Sequence, residues 1–219
     1  MLNPLYKTGL AAAVTKRADI TKRAIDIVLA ALALIFLLPV MALIALILFL
    51  QDGWPIFFSH RRIGLHGREF WCLKFRTMKR DAEQRLADLL QNCEAARQEW
   101  ETTQKLKNDP RITLFGSFLR RSSLDELPQL INVLRGEMSL VGPRPIVSAE
   151  IPRYADAFAH YVTLRPGLTG LWQISGRSDT SYSERVRLDM LYAKTGTLRT
   201  DLIILIKTVA VVMLGRGSY

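Results

Sequence analysis

The sequence predicts an α+β protein, a helix-rich cytoplasmic domain with a small sheet, anchored to a membrane by a proline-containing apolar segment. Three observations predict it. Val28–Leu50 is 23 residues without a charge, about 34 Å as a straight helix, against a hydrocarbon core of about 30 Å. Pro55–His60 and Glu69–Phe75 have the composition of two strands joined by a turn-rich stretch, Arg61–Arg68, with Gly64 and Gly67. Beyond Asp81 apolar residues recur mostly at helical spacing.

The chain divides at the sequence level into a basic segment, 1–23, an apolar segment, 24–52, and one domain, 53–219. Leu2, Leu5, Leu10 and Val14 alternate with lysines and arginines in the first, which suits a helix at the membrane surface or a disordered basic tail. The apolar run is too long for a secretory signal and no small-residue cleavage site follows it. Pro39 stands at its middle, where it removes a backbone hydrogen bond and favours a break. Lys7, Lys16, Arg17, Lys22 and Arg23 precede the run, and Arg61, Arg62, Arg68, Lys74 and Arg76 follow it. A spanning helix carries its Lys/Arg excess on one side. Basic residues on both flanks favour a helix that enters, breaks at Pro39 and returns to the same face, with a single span as the alternative.

Next, Asp81–Leu106 reads as one helix with Leu86, Leu89, Leu90, Cys93 and Trp100 as a rough apolar stripe, and Asn108-Asp109-Pro110 ends it. Phe115–Leu119 leads to an acidic pair, Leu127–Leu134 is a helix stopped by Gly136, and 142–145, 165–170 and 175–177 are loops. Residues 150–161 and Tyr182–Tyr192 are helical, and Leu202–Leu214, too short to span, is a core or surface helix. Cys72 and Cys93 have no metal-ligand spacing and read as buried, reduced thiols, in keeping with a cytoplasmic compartment.

Lys and Arg total 30 against 20 Asp and Glu, a formal charge of +10 and a pI near 9.9. Such an excess calls for an anionic partner: nucleic acid, lipid head groups or a phosphorylated ligand. Nucleic acid is set aside, because aromatic residues are not interleaved with basic ones as a stacking surface requires. Nucleotide-binding glycine loops, zinc spacing and a serine-nucleophile elbow are also missing from the sequence.

Within this basic chain, Asp125-Glu126 follows Arg120-Arg121 and precedes Gly142-Pro143-Arg144-Pro145. Ser123-x-x-Glu126 matches a capping box, so the pair can simply begin a helix, although Pro128 falls late for that motif. A carboxylate fixed at a helix start can equally be a nucleophile or a metal ligand. Arg144, Arg165 and Arg177 lie in stiff Gly/Pro loops suited to phosphate, or are ordinary surface arginines. Lys74 and Arg76, one residue apart at a strand end, should share a face turned to phosphates or head groups, or form a plain basic face.

Four segments together resemble one family: Lys74-Phe75-Arg76-Thr77-Met78, Ser123-Leu124-Asp125-Glu126-Leu127-Pro128-Gln129-Leu130-Ile131-Asn132-Val133, Met138-Ser139-Leu140-Val141-Gly142-Pro143-Arg144-Pro145 and Arg165-Pro166-Gly167-Leu168-Thr169-Gly170. They resemble the bacterial sugar transferases, the small monotopic phosphoglycosyl transferases, in short form, from about residue 22 to the C-terminus. The resemblance implies transfer of a hexose-1-phosphate from a UDP-sugar to undecaprenyl phosphate, with release of UMP, as the first membrane step of exopolysaccharide or O-antigen repeat assembly. It implies Mg²⁺, a covalent aspartyl-phosphosugar intermediate on Asp125, which also ligates the metal, and Glu126 as its partner. Arg144 would hold substrate phosphate, with Lys74, Arg76, Arg120, Arg165 and Arg177 as further phosphate-binding candidates. It also implies a re-entrant helix broken at Pro39, an inner-membrane location and a catalytic domain on the cytoplasmic face. The chain departs from the family at Leu114-Phe115, where a basic residue is common. Leu171-Trp172-Gln173-Ile174-Ser175-Gly176-Arg177-Ser178 and Gly215-Arg216-Gly217-Ser218-Tyr219 resemble the exopolysaccharide branch. Galactose-1-phosphate is then the favoured group and glucose-1-phosphate the alternative, since one epimeric hydroxyl separates them. A nucleotide-sugar hydrolase and a non-catalytic membrane-anchored assembly protein are the rival classes; a homodimer is compatible with all of them.

Overall fold

A computed structural model describes residues 4–103, 106, 109–176 and 180–213. Helix α1, Pro4–Asp52, is 49 residues long and continuous through Pro39. The expected helix break is therefore absent, and helical backbone also joins the basic lead-in to the apolar segment without a boundary. Proline removes one backbone hydrogen bond, but the turns on both sides of it are held by packing. Ala30, Ala33, Leu34 and Leu37 pack into one apolar cluster, and Met41, Ile44, Ala45 and Leu48 into another. This three-and-four spacing makes a single stripe, and Leu32, Ile35, Phe36, Leu43, Leu46 and Leu50 remain exposed away from it. Ile20–Asp52 is long and apolar enough to cross a membrane.

Strands β1, Phe57–Ile63, and β2, Glu69–Phe75, form an antiparallel hairpin with Phe57 opposite Phe75 and Ile63 opposite Glu69. β1 runs further than expected, and the turn uses His66 and Gly67 at positive φ. The expected long helix is two, α2, Ala82–Asn92, and α3, Glu94–Thr103, parted by extended backbone at Cys93. Its apolar stripe stays half-buried, as does Cys93, whereas Cys72 is buried as expected. Burial pushes the Cys72 thiol up to about 11, so it stays protonated and unreactive at neutral pH.

Helix α4, Leu114–Ser122, starts where the Thr113 side chain accepts from Gly116 N–H. One 3₁₀ turn, Leu124–Glu126, links it to α5, Gln129–Arg135, which ends at left-handed Gly136. Asn132 on α5 is fully buried and docks the hairpin. It accepts from Leu73 N–H at 3.0 Å and donates to Trp71 C=O at 2.7 Å. Asn132→Ala would strand both backbone groups, so we expect a loss of about 3 kcal/mol, measured as a shift in the denaturation midpoint. A change below about 1 kcal/mol would mean that water replaces the amide.

A second sheet was not foreseen. Strand β3, Ser139–Val141, lies parallel to β4, Gly167–Thr169, in a stretch expected to be loop. The backbones meet so closely that a Cβ on Gly142 would strike Arg165 O, and one on Gly167 would strike Gly142 N. Between these strands lie α6, Ile151–Tyr154, and α7, Ala157–Tyr161, separated by Ala155 at φ 44°. Three helices complete the chain: α8, Leu171–Ile174, α9, Tyr182–Thr195, and α10, Leu198–Met213. α10 buries Ile204 against the α1 cluster and exposes Leu202, Ile203, Ile206 and Val209.

Candidate active site

The acidic pair occupies the 3₁₀ turn between α4 and α5, not the start of a regular helix. Ser123 adopts φ 57°, ψ 16° and makes no side-chain cap bond, so the capping-box reading fails. A left-handed residue closes α4 and turns the chain sharply, and Pro128 then starts α5. The result fixes Asp125 at 8% exposure, with Glu126 more open.

Lys74, at the end of β2, bridges the two carboxylates. Its Nζ donates to Glu126 Oε1 at 2.6 Å and lies 3.7 Å from Asp125 Oδ2. Burial opposes the Lys74 charge, but Glu126 and Asp125 outweigh it and hold the ammonium above its ordinary value. Arg120, in the last turn of α4, donates from Nε to Thr77 Oγ1 at 2.8 Å, and its charge acts on Asp125. Burial pushes Asp125 up to about 6; Glu126 adds to the rise, while Lys74 and Arg120 oppose it. A buried carboxylate beside two cations can be ionised near neutral pH and remain poorly solvated, which suits a nucleophile.

Of the candidates, Asp125, Glu126, Lys74 and Arg120 are brought together. Arg76 is not with them. β2 ends at Phe75, the alternation ends there too, and Arg76 donates to Gly53 C=O at 3.0 Å and sits 3.4 Å from Asp52 at the end of α1. Arg165 donates to Gly136 C=O at 3.0 Å and so ties the end of α5. Arg177 lies outside the described residues, as does the Gly215–Tyr219 segment. Thr77, which orients Arg120, was given no role, although it stands within the Lys74–Met78 segment.

A family model described as bacterial sugar transferase matches residues 17–215. The chain belongs to the bacterial sugar transferase family. The transferase is 52% identical over 200 residues to an exopolysaccharide production protein, ExoY, of Sinorhizobium fredii, covering 91% of this chain and 88% of that protein. It is 50% identical over 198 residues to an undecaprenyl-phosphate galactose phosphotransferase of Salmonella typhimurium, covering 90% of this chain and 41% of that one. It is 38% identical over 224 residues to a UDP-glucose:undecaprenyl-phosphate glucose-1-phosphate transferase of Escherichia coli, covering 99% of this chain and 44% of that one.

Arg144 of the transferase belongs to a second polar cluster. Its Nη1 donates to Glu150 Oε1 at 2.9 Å, and Glu150 also lies 3.8 Å from Arg62. Burial opposes the Arg144 charge and Glu150 outweighs it, while Arg144 in turn holds the Glu150 carboxyl below its ordinary value despite burial. The Arg144 backbone N–H reaches Asp189, which accepts from Tyr154 OH at 2.7 Å. Burial pushes Asp189 up to about 7. Sequence reasoning missed Arg62, Glu150 and Asp189, whose roles depend on how β1, the loop after β3 and α9 meet.

Proposed function

We propose that the transferase moves a hexose-1-phosphate, galactose-1-phosphate first and glucose-1-phosphate as the alternative, from a UDP-sugar to undecaprenyl phosphate. The buried Asp125 between Lys74 and Arg120 carries this reading. An Asp125 oxygen forms a bond to the β-phosphorus of the donor. The bond from that phosphorus to the bridging oxygen breaks, and UMP leaves with the electron pair. An oxygen of the lipid phosphate then attacks the aspartyl-bound phosphorus and frees the carboxylate. Two anions meet at each step, so cations must hold them together; Lys74 and Arg120 supply two.

Among the described residues no cluster of three or more His, Cys, Asp or Glu could hold a metal. Adjacent Asp125 and Glu126 nonetheless fit Mg²⁺, which binds one or two carboxylates and takes substrate phosphate oxygens and water for the rest. Asp125 would be the main ligand, and the ion would supply charge neutralisation on the pyrophosphate.

The same reading places the enzyme at the bacterial inner membrane, its polar domain on the cytoplasmic face, serving exopolysaccharide or O-antigen repeat assembly. Both ends of the apolar part of α1 bind that one domain, which supports a path that returns to one face by a bend within the unbroken helix rather than by the expected break at Pro39. Near its start, Lys22 donates to Asp201 at 2.6 Å and Arg23 to Val133 C=O at 2.6 Å. At its end, Asp52 and Gly53 meet Arg76. A straight helix would hold Arg23 and Asp52 about 43 Å apart, beyond the hydrocarbon thickness of about 30 Å. An N-terminal tag should therefore resist protease in intact spheroplasts and be cut after lysis. Cleavage in intact cells would establish a span.

The enzymatic test is UMP release from UDP-galactose and UDP-glucose with Mg²⁺, with and without undecaprenyl phosphate. Turnover that requires the lipid supports the transferase. Full turnover without lipid makes it a hydrolase, and no release with either sugar removes the reading.

A further inference from the structure

We infer that the second cluster, built on Trp172 with Arg144, Arg185, Glu150 and Tyr182, is the subsite for the UMP half of the donor; this rests on the transferase reading above. Two guanidinium groups lie over the same indole, Arg185 at 5.0 Å and Arg144 at 5.9 Å from the ring centroid. Like charges do not gather on one ring without a counter-charge. The neighbourhood holds Arg62, Arg144, Arg153 and Arg185 against Glu150 and Asp189. That excess calls for an anion.

The second observation concerns polar atoms. Trp172 Nε1, Thr180 Oγ1 and Tyr182 Oη are buried and have no hydrogen-bond partner. A buried polar group left unpaired costs about 1–3 kcal/mol, and several in one place ask for a ligand or water. The residues themselves are only half-buried. A pyrimidine nucleotide supplies each missing element: a flat ring to stack on Trp172 or Tyr182, carbonyl and hydroxyl groups for the buried atoms, and a phosphate for the arginines. Engaging the indole N–H requires the arginine side chains to swing off the ring.

The position selects the nucleotide end of the donor. In the hairpin Arg62 stands opposite Phe70, and Lys74 follows on the same face four residues later, about 13 Å along the strand. Arg62 contacts Glu150 of the second cluster and Lys74 contacts Asp125 of the first. That is a backbone separation, and the long arginine and lysine side chains can close much of it, so that the α-phosphate meets the arginines while the β-phosphorus faces Asp125 and the pyrimidine reaches Trp172 or Tyr182. The hexose is bonded directly to the β-phosphate and is too short to reach.

The test is UMP binding by the full-length transferase in lipid nanodiscs, by calorimetry, with uridine and inorganic phosphate as partial probes. Arg185→Gln and Trp172→Phe should weaken UMP about tenfold, and Tyr182→Phe should weaken both UMP and uridine. The same variants should lose kcat/KM for the donor by a similar factor, mostly through KM. Phosphate binding that weakens without any change for uridine would place only the phosphate here and overturn the nucleoside assignment. Unchanged UMP affinity in all three variants, in a protein that still releases UMP from donor, would overturn the subsite and leave the transferase standing. Absence of UMP release from any UDP-sugar would remove both.

Discussion

Asp125→Asn will lower lipid-dependent UMP release by at least about a thousandfold, as loss of a covalent nucleophile does. The amide is isosteric, so the 3₁₀ turn and the Lys74–Glu126 contact at 2.6 Å can remain. Incubation with donor alone should add a phosphosugar to the native protein, seen by intact mass, and add nothing to the variant. Stability separates this reading from a structural one. The folded Asp125 pKa, about 6, lies above its ordinary 3.8. The folded state therefore binds that proton more tightly than the unfolded state, and stability falls as pH rises through this interval. A neutral amide removes the penalty, so at pH 7.5 the variant should melt no lower than the native protein. A clear drop in its melting temperature, with activity retained, would make the residue structural.

Lys74→Met will reduce kcat/KM by about 100-fold and move the acid limb of its pH profile upward. Lys74 is the cation that touches both carboxylates. Without it, burial and the Glu126 charge act on Asp125 against Arg120 and a backbone hydrogen bond alone, with the largest opposing charge gone. Protonation then persists to higher pH, and fewer molecules carry an ionised nucleophile. Lys74→Arg, which keeps the charge, should restore part of the rate. The profile is measured at fixed Mg²⁺ concentration. An unmoved limb with activity within about threefold of native would show that Lys74 only fills space.

The hairpin was legible because a glycine-bearing turn separates two strand-like runs, and α5 because Gly136 stops it. β3 and β4 were not, since three residues of strand leave no period to detect. Their pairing instead rests on glycines that permit contact of two distant backbones. Ser123-x-x-Glu126 has the letters of a capping box, yet the positive φ of Ser123 turns the segment elsewhere. Arg76 shows the same limit: its direction follows from where β2 stops, which composition does not specify. The role expected of Asp125 came from resemblance, and its burial and its pairing with Lys74 and Arg120 came from the fold. Arg144 was singled out by its flanking prolines, but its partners were hidden, Trp172 by distance along the chain and Glu150, six residues on, by an irregular loop with no period to read.

The stripe of α1 formed by Ala30, Met41, Ile44 and Leu48 is buried against the domain it was expected only to tether. Phe75, next to Lys74, and Leu119, next to Arg120, share a cluster with its second half. The apolar helix and the candidate site thus share one packed core across the boundary expected at residue 52. A chain that has not yet reached lipid lacks the surface on which α1 can expose its other face. On the proposed function, a soluble fragment cut away from α1 would lack the packing behind Lys74 and Arg120 and should not turn over.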